Sequence, residues 1–207
     1  MSDYWKQHWD QHYATSEYVY GVEPNRFLKE RVSLIPRGKV LCVADGEGRN
    51  GVWLARQGYE VTAIDYSREG LRKAQRLADR FKVEIKLVKA DLLTYSFGSE
   101  EYDGIVSIYS HFNMENRIKL HRNYARALKP GGILLLEAFT KKQQKYSSGG
   151  PKDVKLLYDE DSLRTSLPEL EIVLLREEIV TLEEGKLHRG PAAVVRGIFR
   201  KPEKITL

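Results

Sequence analysis

Val40-Leu41-Cys42-Val43-Ala44-Asp45-Gly46-Glu47-Gly48-Arg49-Asn50-Gly51 is a short apolar run that breaks into Gly-x-Gly-x-x-Gly. Downstream, a second apolar run, Glu60-Val61-Thr62-Ala63-Ile64, ends on Asp65. A strand that enters a helix through Gly46 and Gly48 turns tightly and lets a ligand lie against bare backbone, because no Cβ stands in the way. Asp65, at the carboxyl end of the next strand, is placed to accept hydrogen bonds from the two hydroxyls of a ribose. The order strand, turn, helix, strand, Asp describes a cradle for an adenosine-bearing ligand. The glycine spacing taken alone also suits a plain strand-to-helix turn.

Two such ligands fit the spacing, a dinucleotide such as NAD or the methyl donor S-adenosylmethionine. A dinucleotide would bring a pyrophosphate to this turn, where Asp45 and Glu47 are poor neighbours for an anion. The methyl donor brings a sulfonium and an ammonium, which the same two carboxylates favour. Charge therefore points to the methyl donor, with an NAD-dependent oxidoreductase or a non-enzymatic cofactor-binding protein as the alternatives.

From Val40 onward the pattern alternates. Strands are expected at 39–43, 60–64, 84–88, 103–108 and 132–138, and helices at 50–57, 67–80 and 115–128. Such alternation builds an α/β fold with a parallel sheet covered by helices on both faces. Two further extended runs, 171–181 and 192–200, are joined through Glu183-Glu184-Gly185-Lys186 and read as an antiparallel hairpin at the sheet's edge. Trp5, Trp9 and Tyr13 recur at helical spacing and form a stripe that packs on the body.

The 207 residues, 42% of them hydrophobic, suffice for one core, and no shift in composition marks a second domain. A single domain, 1–207, with residues 1–30 as an N-terminal lid, is the expected organisation. No run of eighteen apolar residues and no basic-then-apolar leader occurs, so the expectation is a cytoplasmic protein with no membrane partner. The net charge of +5 comes from mixed-sign helical faces rather than a basic strip, so nucleic acid is not the expected partner. Cys42, the single cysteine, lies inside an expected strand and packs there as a small hydrophobe. The five histidines show no ligand-like pairing, and no metal is expected; monomer and homodimer both remain open.

Later segments carry a resemblance. Lys86-Leu87-Val88-Lys89-Ala90-Asp91-Leu92, Tyr102-Asp103-Gly104-Ile105-Val106-Ser107 and the turn Leu128-Lys129-Pro130-Gly131-Gly132 resemble the third, fourth and fifth strand motifs of class I S-adenosylmethionine-dependent methyltransferases. That resemblance implies a Rossmann-like, doubly wound, seven-stranded sheet, mostly parallel with an antiparallel C-terminal strand. It implies a cofactor site of Tyr20, Asp45, Gly46, Glu47, Gly48, Asn50, Asp65, Tyr66, Asp91, Leu92 and Ser107. In that site the Asp91 carboxylate accepts from the adenine amine while the Leu92 N–H donates to the ring. Many members carry an acid at the position of Cys42 and a glycine at that of Ala44, so Asp45 is expected to supply the carboxylate from next door.

Within the superfamily three segments resemble the tellurite-resistance and thiopurine methyltransferase-like group. They are Tyr18-Val19-Tyr20-Gly21-Val22-Glu23-Pro24-Asn25-Arg26-Phe27-Leu28 with Gly46-Glu47-Gly48-Arg49-Asn50, then Ser107-Ile108-Tyr109-Ser110-His111-Phe112, then Glu184-Gly185-Lys186-Leu187-His188-Arg189-Gly190 with Arg196. The likeness implies a small-molecule acceptor, a thiol or a chalcogen oxyanion such as tellurite or selenite. His188 is then the group that takes a proton or holds an anion, with His111 as the competing candidate, Arg189 and Arg196 clamp an oxyanion, and Ser110, His111 and Phe112 line the acceptor side. Tyr20 closes the lid, because methyl transfer runs best where water is excluded. A methyltransferase acting on RNA or protein is the further alternative, although Ser107-Ile108-Tyr109-Ser110 is not the Asn-Pro-Pro-Tyr-like tetrad of amino-methylating nucleic-acid enzymes.

Overall fold

A computed structural model describes residues 3–203 of the chain. Its strands are β1 (Lys39–Val43), β2 (Glu60–Asp65), β3 (Lys86–Lys89), β4 (Tyr102–Ile108), β5 (Leu128–Phe139), β6 (Glu171–Glu184) and β7 (His188–Arg200). Its helices are α1 (Asp3–Tyr13), α2 (Arg26–Arg31), α3 (Arg49–Arg56), α4 (Arg68–Phe81), α5 (Met114–Ala127) and α6 (Glu160–Ser166). The seven strands form one sheet in the order β3-β2-β1-β4-β5-β7-β6. Pairing is parallel from β3 through β5, and β7 runs antiparallel to both β5 and β6. The expected doubly wound seven-stranded sheet with its antiparallel C-terminal strand is the observed one.

The sheet stands because its central strands are apolar on both sides. Leu41 and Val43 join Ile64, Ile105, Leu134, Leu136 and Tyr124 in one core, while Val40 and Cys42 join Val61, Ala63, Val106, Leu135, Phe27 and Leu54 in the other. Successive side chains of a strand point to opposite faces, so an unbroken apolar run serves two helical layers at once. Polar side chains set the helix starts: Asn25, Ser67 and Asn113 accept from the Leu28, Gly70 and Asn116 amides and so cap α2, α4 and α5. The chain order reverses between β1 and β4. In open α/β sheets the crevice outside the strand ends at such a point is where ligands bind.

Several sequence expectations shift: β6 runs on to Glu184 and β7 begins at His188, so that most of the expected connection 182–191 is strand. The third strand starts at Lys86 rather than residue 84. The segment Leu128–Gly132 is not a turn ahead of the fifth strand but a bulge within it: Leu128 already pairs with Tyr102, and regular pairing resumes only at Ile133 opposite Gly104. Gly131, at φ +76, lets the chain loop out while its N–H donates to the Lys201 carbonyl at 2.9 Å. Helices α2 and α6 have no counterpart among the expected helices, and the seven residues of α6 are held by a reciprocal capping box between Asp159 and Ser162.

No helix among the described residues is long and apolar enough to cross a membrane. Residues 1–2 and 204–207, the ends of the expected domain and the start of the expected lid, lie outside the described residues.

Candidate active site

The cradle is built by backbone that only a few residue types tolerate. Ala44, Gly46 and Gly48 take positive φ values of 50, 56 and 83°, which explains why a glycine suits the position of Ala44. The third glycine has a different reason. A Cβ on Gly51 would stand 2.5 Å from Asp45 Oδ2, the oxygen that accepts the Gly51 N–H at 3.1 Å. Asp45 therefore turns inward onto the start of α3, and burial lifts its carboxyl to about 7 against the pull of that N–H.

Asp65 sits where the sequence suggests, at the end of β2. Its Oδ2 accepts from Gly46 N and its Oδ1 from Ser67 N, each at 2.8 Å. Burial raises its carboxyl to about 6, more than the Ser67 and Gly46 amides pull it down. Ala90 N donates to the Asp65 carbonyl, which brings Asp91 and Leu92 beside it, and Asp91 Oδ1 caps its own turn by accepting from Leu93 N at 2.9 Å. Ser107 lies opposite Val43 at the β1/β4 reversal. Tyr66, half-buried, follows Asp65 directly.

Residues 10–25 are strapped across this crevice. Asp10 accepts from the Ser67 hydroxyl at 2.6 Å, and Tyr18 donates its hydroxyl to the Lys73 carbonyl at 2.9 Å. Tyr13 stacks on Trp9 and is buried against the glycine turn, its hydroxyl 2.6 Å from where a Gly46 Cβ would stand. Of the aromatic stripe, Tyr13 is buried whereas Trp5 is exposed. Tyr20 donates its backbone N–H to Glu47 at 3.3 Å, its hydroxyl is 3.1 Å from His12 Nε2, and burial lifts that hydroxyl to about 12. Asn50 accepts from Asn25 N at 2.9 Å.

Glu47 does not face a ligand as the charge argument supposed. It is an internal ion pair with Lys73 at 2.6 Å, both side chains 2% exposed, and its role is to anchor the strap to α4. The carboxylates left to the crevice itself are Asp45 and Asp65.

Beyond the β4 and β5 ends lies a polar cluster. Glu137 accepts from Asn25 Nδ2 and from the Tyr109 hydroxyl, both at 2.7 Å, and from Arg196 Nε at 2.5 Å. Glu184 accepts from Asn25 at 3.0 Å and from Arg49 Nη2 at 2.9 Å, and stands 3.4 Å from His188 Nδ1. Burial alone would raise Glu184, yet the His188 hydrogen bond and the Arg49 ion pair hold it down at about 2. The His188 ring packs against Tyr20, Tyr109 and Phe139 at 4.5, 4.7 and 5.3 Å, and burial keeps its pKa below the ordinary value despite Glu184. Tyr109 holds φ +53, an uncommon conformation for a bulky residue. A cleft of about 590 Å³ opens onto this cluster, lined by Tyr20, Asn25, Glu137, Glu184 and Arg196 among others.

Of the residues assigned to chemistry, His188 and Arg196 join the cluster and Arg189 does not. Arg189 is exposed and donates to the Gly185 carbonyl at 2.8 Å, because neighbours along a strand point to opposite faces. Arg196 is in the cluster, with its Nε on Glu137 and its Nη1 on Glu178. The expected acceptor wall is likewise structural. His111 bridges Leu156 O and Phe139 N, and burial lowers its pKa to about 4. Ser110 and Phe112 are buried, and their carbonyls accept from Tyr158 and Arg117. Residues that sequence reading missed are Asn25, Arg49, Tyr109, Glu137 and Glu184. Asn25, Arg49, Tyr109 and Glu184 had a signal, lying within quoted motifs, whereas Glu137 had only its place at the end of an apolar run.

Residues 40–132 match the family model described as a methyltransferase domain. The stretch that builds the cradle, Asp65 and Asp91 is thus of methyltransferase type. The chain is 36% identical over 98 residues to the uncharacterized methyltransferase YbaJ of Bacillus subtilis, covering 47% of this chain and 38% of that protein. It therefore spans well under half the length of that relative.

Among solved structures, one from work on conversion of a disulfide bond into a thioacetal group during echinomycin biosynthesis superposes with a TM-score of 0.79 at 17% identity, over 97% of this chain and 93% of that one. N-methyltransferase NodS from Bradyrhizobium japonicum, in complex with S-adenosyl-L-homocysteine, gives 0.69 at 20% identity over 96% and 98% of the two chains. TehB from Haemophilus influenzae gives 0.70 at 20% identity over 95% and 66%. At these identities the likeness is one of fold.

Proposed function

We propose that this chain is an S-adenosylmethionine-dependent methyltransferase that acts on a small-molecule nucleophile, a thiol or a chalcogen oxyanion. The observation that carries the reading is the charge of the crevice. Asp45 and Asp65 border the glycine turn, held there by backbone amides, an arrangement that suits a sulfonium and an ammonium better than a pyrophosphate, whereas Glu137 and Glu184 beyond it are already matched by Arg196 and Arg49. Asp65 is fixed beside the turn by the Gly46 amide, at the end of β2 where an acceptor for ribose hydroxyls belongs, while Gly46 and Gly48 make room for the Tyr13 hydroxyl and the Ala74 Cβ. A small acceptor suits a cluster roofed by the 10–25 strap and reached through a cleft of about 590 Å³.

Methyl transfer needs positioning more than covalent help, since the nucleophile must approach the methyl carbon in line with the departing sulfur. The bound donor supplies an electrophilic methyl group. The chain's residues do the rest. An ionised Glu184 can only accept, so His188 carries its proton on Nδ1 and leaves Nε2 as a lone pair, free to take the proton of a thiol. The imidazolium so formed would be stabilised by Glu184. Tyr20, Tyr109 and Phe139 pack around the ring and keep water from it.

The test is incubation with labelled methyl donor and a panel of thiols, selenite and tellurite, with calorimetry of donor and NADH alongside. Label in one of these acceptors is expected. Tight NADH uptake with no heat from the sulfonium compound or its demethylated product would overturn the reading.

A further inference from the structure

One neutral side chain joins the two carboxylates that lie beyond the strand ends. Asn25, the buried N-cap of α2, accepts from Leu28 N with its Oδ1, which fixes the orientation of the amide and turns Nδ2 the other way. Both N–H groups of that nitrogen are used, one on Glu137 Oε1 at 2.7 Å and one on Glu184 Oε1 at 3.0 Å. The two glutamates belong to β5 and β6, which β7 separates, so the amide reaches across a strand. Each carboxylate is thereby sorted. Its Oε1 meets neutral donors, Asn25 and for Glu137 also the Tyr109 hydroxyl, whereas its Oε2 meets a guanidinium, that of Arg196 for Glu137 and that of Arg49 for Glu184. Glu184 Oε2 is also the oxygen that stands 3.4 Å from His188 Nδ1.

We propose that Asn25 is a positioning residue for His188: by holding Glu184 Oε1 it keeps Oε2 turned to Nδ1, and so keeps the ring in the tautomer whose Nε2 is bare. This rests on the reading of His188 as the base. Without that grip the Glu184 carboxylate has a competing partner, because Arg49 Nη1 is buried with no hydrogen-bond partner, on the same guanidinium whose Nη2 already holds Oε2. A guanidinium takes a carboxylate through two parallel N–H groups when both oxygens turn to it. His188 would then lose its orienting acceptor. A neutral amide suits the task better than a cation, which would draw the carboxylate to itself, or an alkyl group, which would leave Oε1 with no donor. The other groups around the ring do not select its tautomer. Tyr20, Tyr109 and Phe139 meet it with their rings, Gly149 comes close to its edge with no charge, and Arg49, Glu137, His12 and His111 act on it through charge.

The test is Asn25→Ser, which keeps a side-chain oxygen to cap α2 but is too short to bridge the two glutamates. NMR of the ring nitrogens, at a pH where the ring is neutral, is expected to show His188 protonated on Nδ1 in the unmodified protein. In Asn25→Ser the ring should pass to a mixture with the Nε2–H form, and its titration midpoint should fall by about half a pH unit or more as the Glu184 hydrogen bond is lost. Turnover of an acceptor should fall about tenfold or more. A residue that only caps the helix would leave Asn25→Ser like the unmodified protein in both ring measurements. That result, or a ring protonated on Nε2 in the unmodified protein, would overturn the proposal. Should Asn25→Ser not fold, Asn25→Thr, a cap of the same kind, takes its place. No turnover of any acceptor by the unmodified protein would sink the base assignment, and the ring measurements, which need no acceptor, would still decide the role of Asn25.

Discussion

Asp65 meets two opposed demands. Its carboxylate organises the turn through Gly46 N and Ser67 N, and burial nonetheless lifts it to about 6. Because its folded pKa lies above the ordinary 3.8, the folded chain holds a proton that the unfolded chain releases. Its contribution to stability therefore declines as pH rises from about 4 to about 6. Ligand binding runs the other way, since ribose hydroxyls need an ionised acceptor. Donor affinity should fall as pH drops through about 6, approaching tenfold per pH unit below it, and Asp65→Asn should flatten the profile in calorimetry. Asp65→Ala should cost about 2–3 kcal/mol of donor binding. His188 is shifted downward by burial, so it is neutral near pH 7, and NMR titration should place its midpoint below 6.5. His188→Ala should lower turnover at least tenfold while donor affinity stays within about threefold. Equal losses in the two would make it a structural residue.

At the scale of elements, the strap is held to the body largely by α4. Lys73 Nζ donates to Glu47 and to the Glu17 carbonyl, and the Tyr18 hydroxyl returns to the Lys73 carbonyl. A buried ion pair is weak evidence of net stability, but removing one partner strands a charge. Lys73→Met should therefore destabilise the chain by about 3–5 kcal/mol in urea unfolding. Adding Glu47→Gln should recover part of that loss by removing the stranded charge. The far end of the strap meets the β6–β7 turn, where Lys186 N donates to Val19 O and a Cβ on Gly185 would stand 2.3 Å from that same oxygen. That approach admits no side chain. The strap and the hairpin bearing His188 are thus one mechanical unit, which is why Tyr20 reaches the His188 ring.

For the whole molecule, a ligand that binds only the folded chain adds its binding free energy to stability. S-adenosylhomocysteine at a hundred times its Kd should raise the unfolding free energy by about 2.7 kcal/mol, read as a rise in Tm. What was legible in the chain was local. Apolar runs with both faces buried, the glycine spacing and Asp65 lie within 26 residues, so strand, turn, helix and cradle follow from periodicity and backbone freedom. The outward turn of Arg189 became legible only with β7 beginning at His188, since a strand that turns His188 inward must turn its neighbour outward. The polar cluster was not. Asn25 meets Glu137 across 112 residues and Glu184 across 159, and no local pattern records contacts of that separation. Nor does sequence say whether a charge is already taken, as Arg196 is by Glu137 and Glu178 and Glu47 is by Lys73. Residue type and spacing determined the fold and the adenosine cradle by themselves, because those are properties of short backbone segments. Which ionisable groups remain free to act was decided only in the tertiary structure, because a charge loses or keeps its availability according to the partner that folding brings beside it.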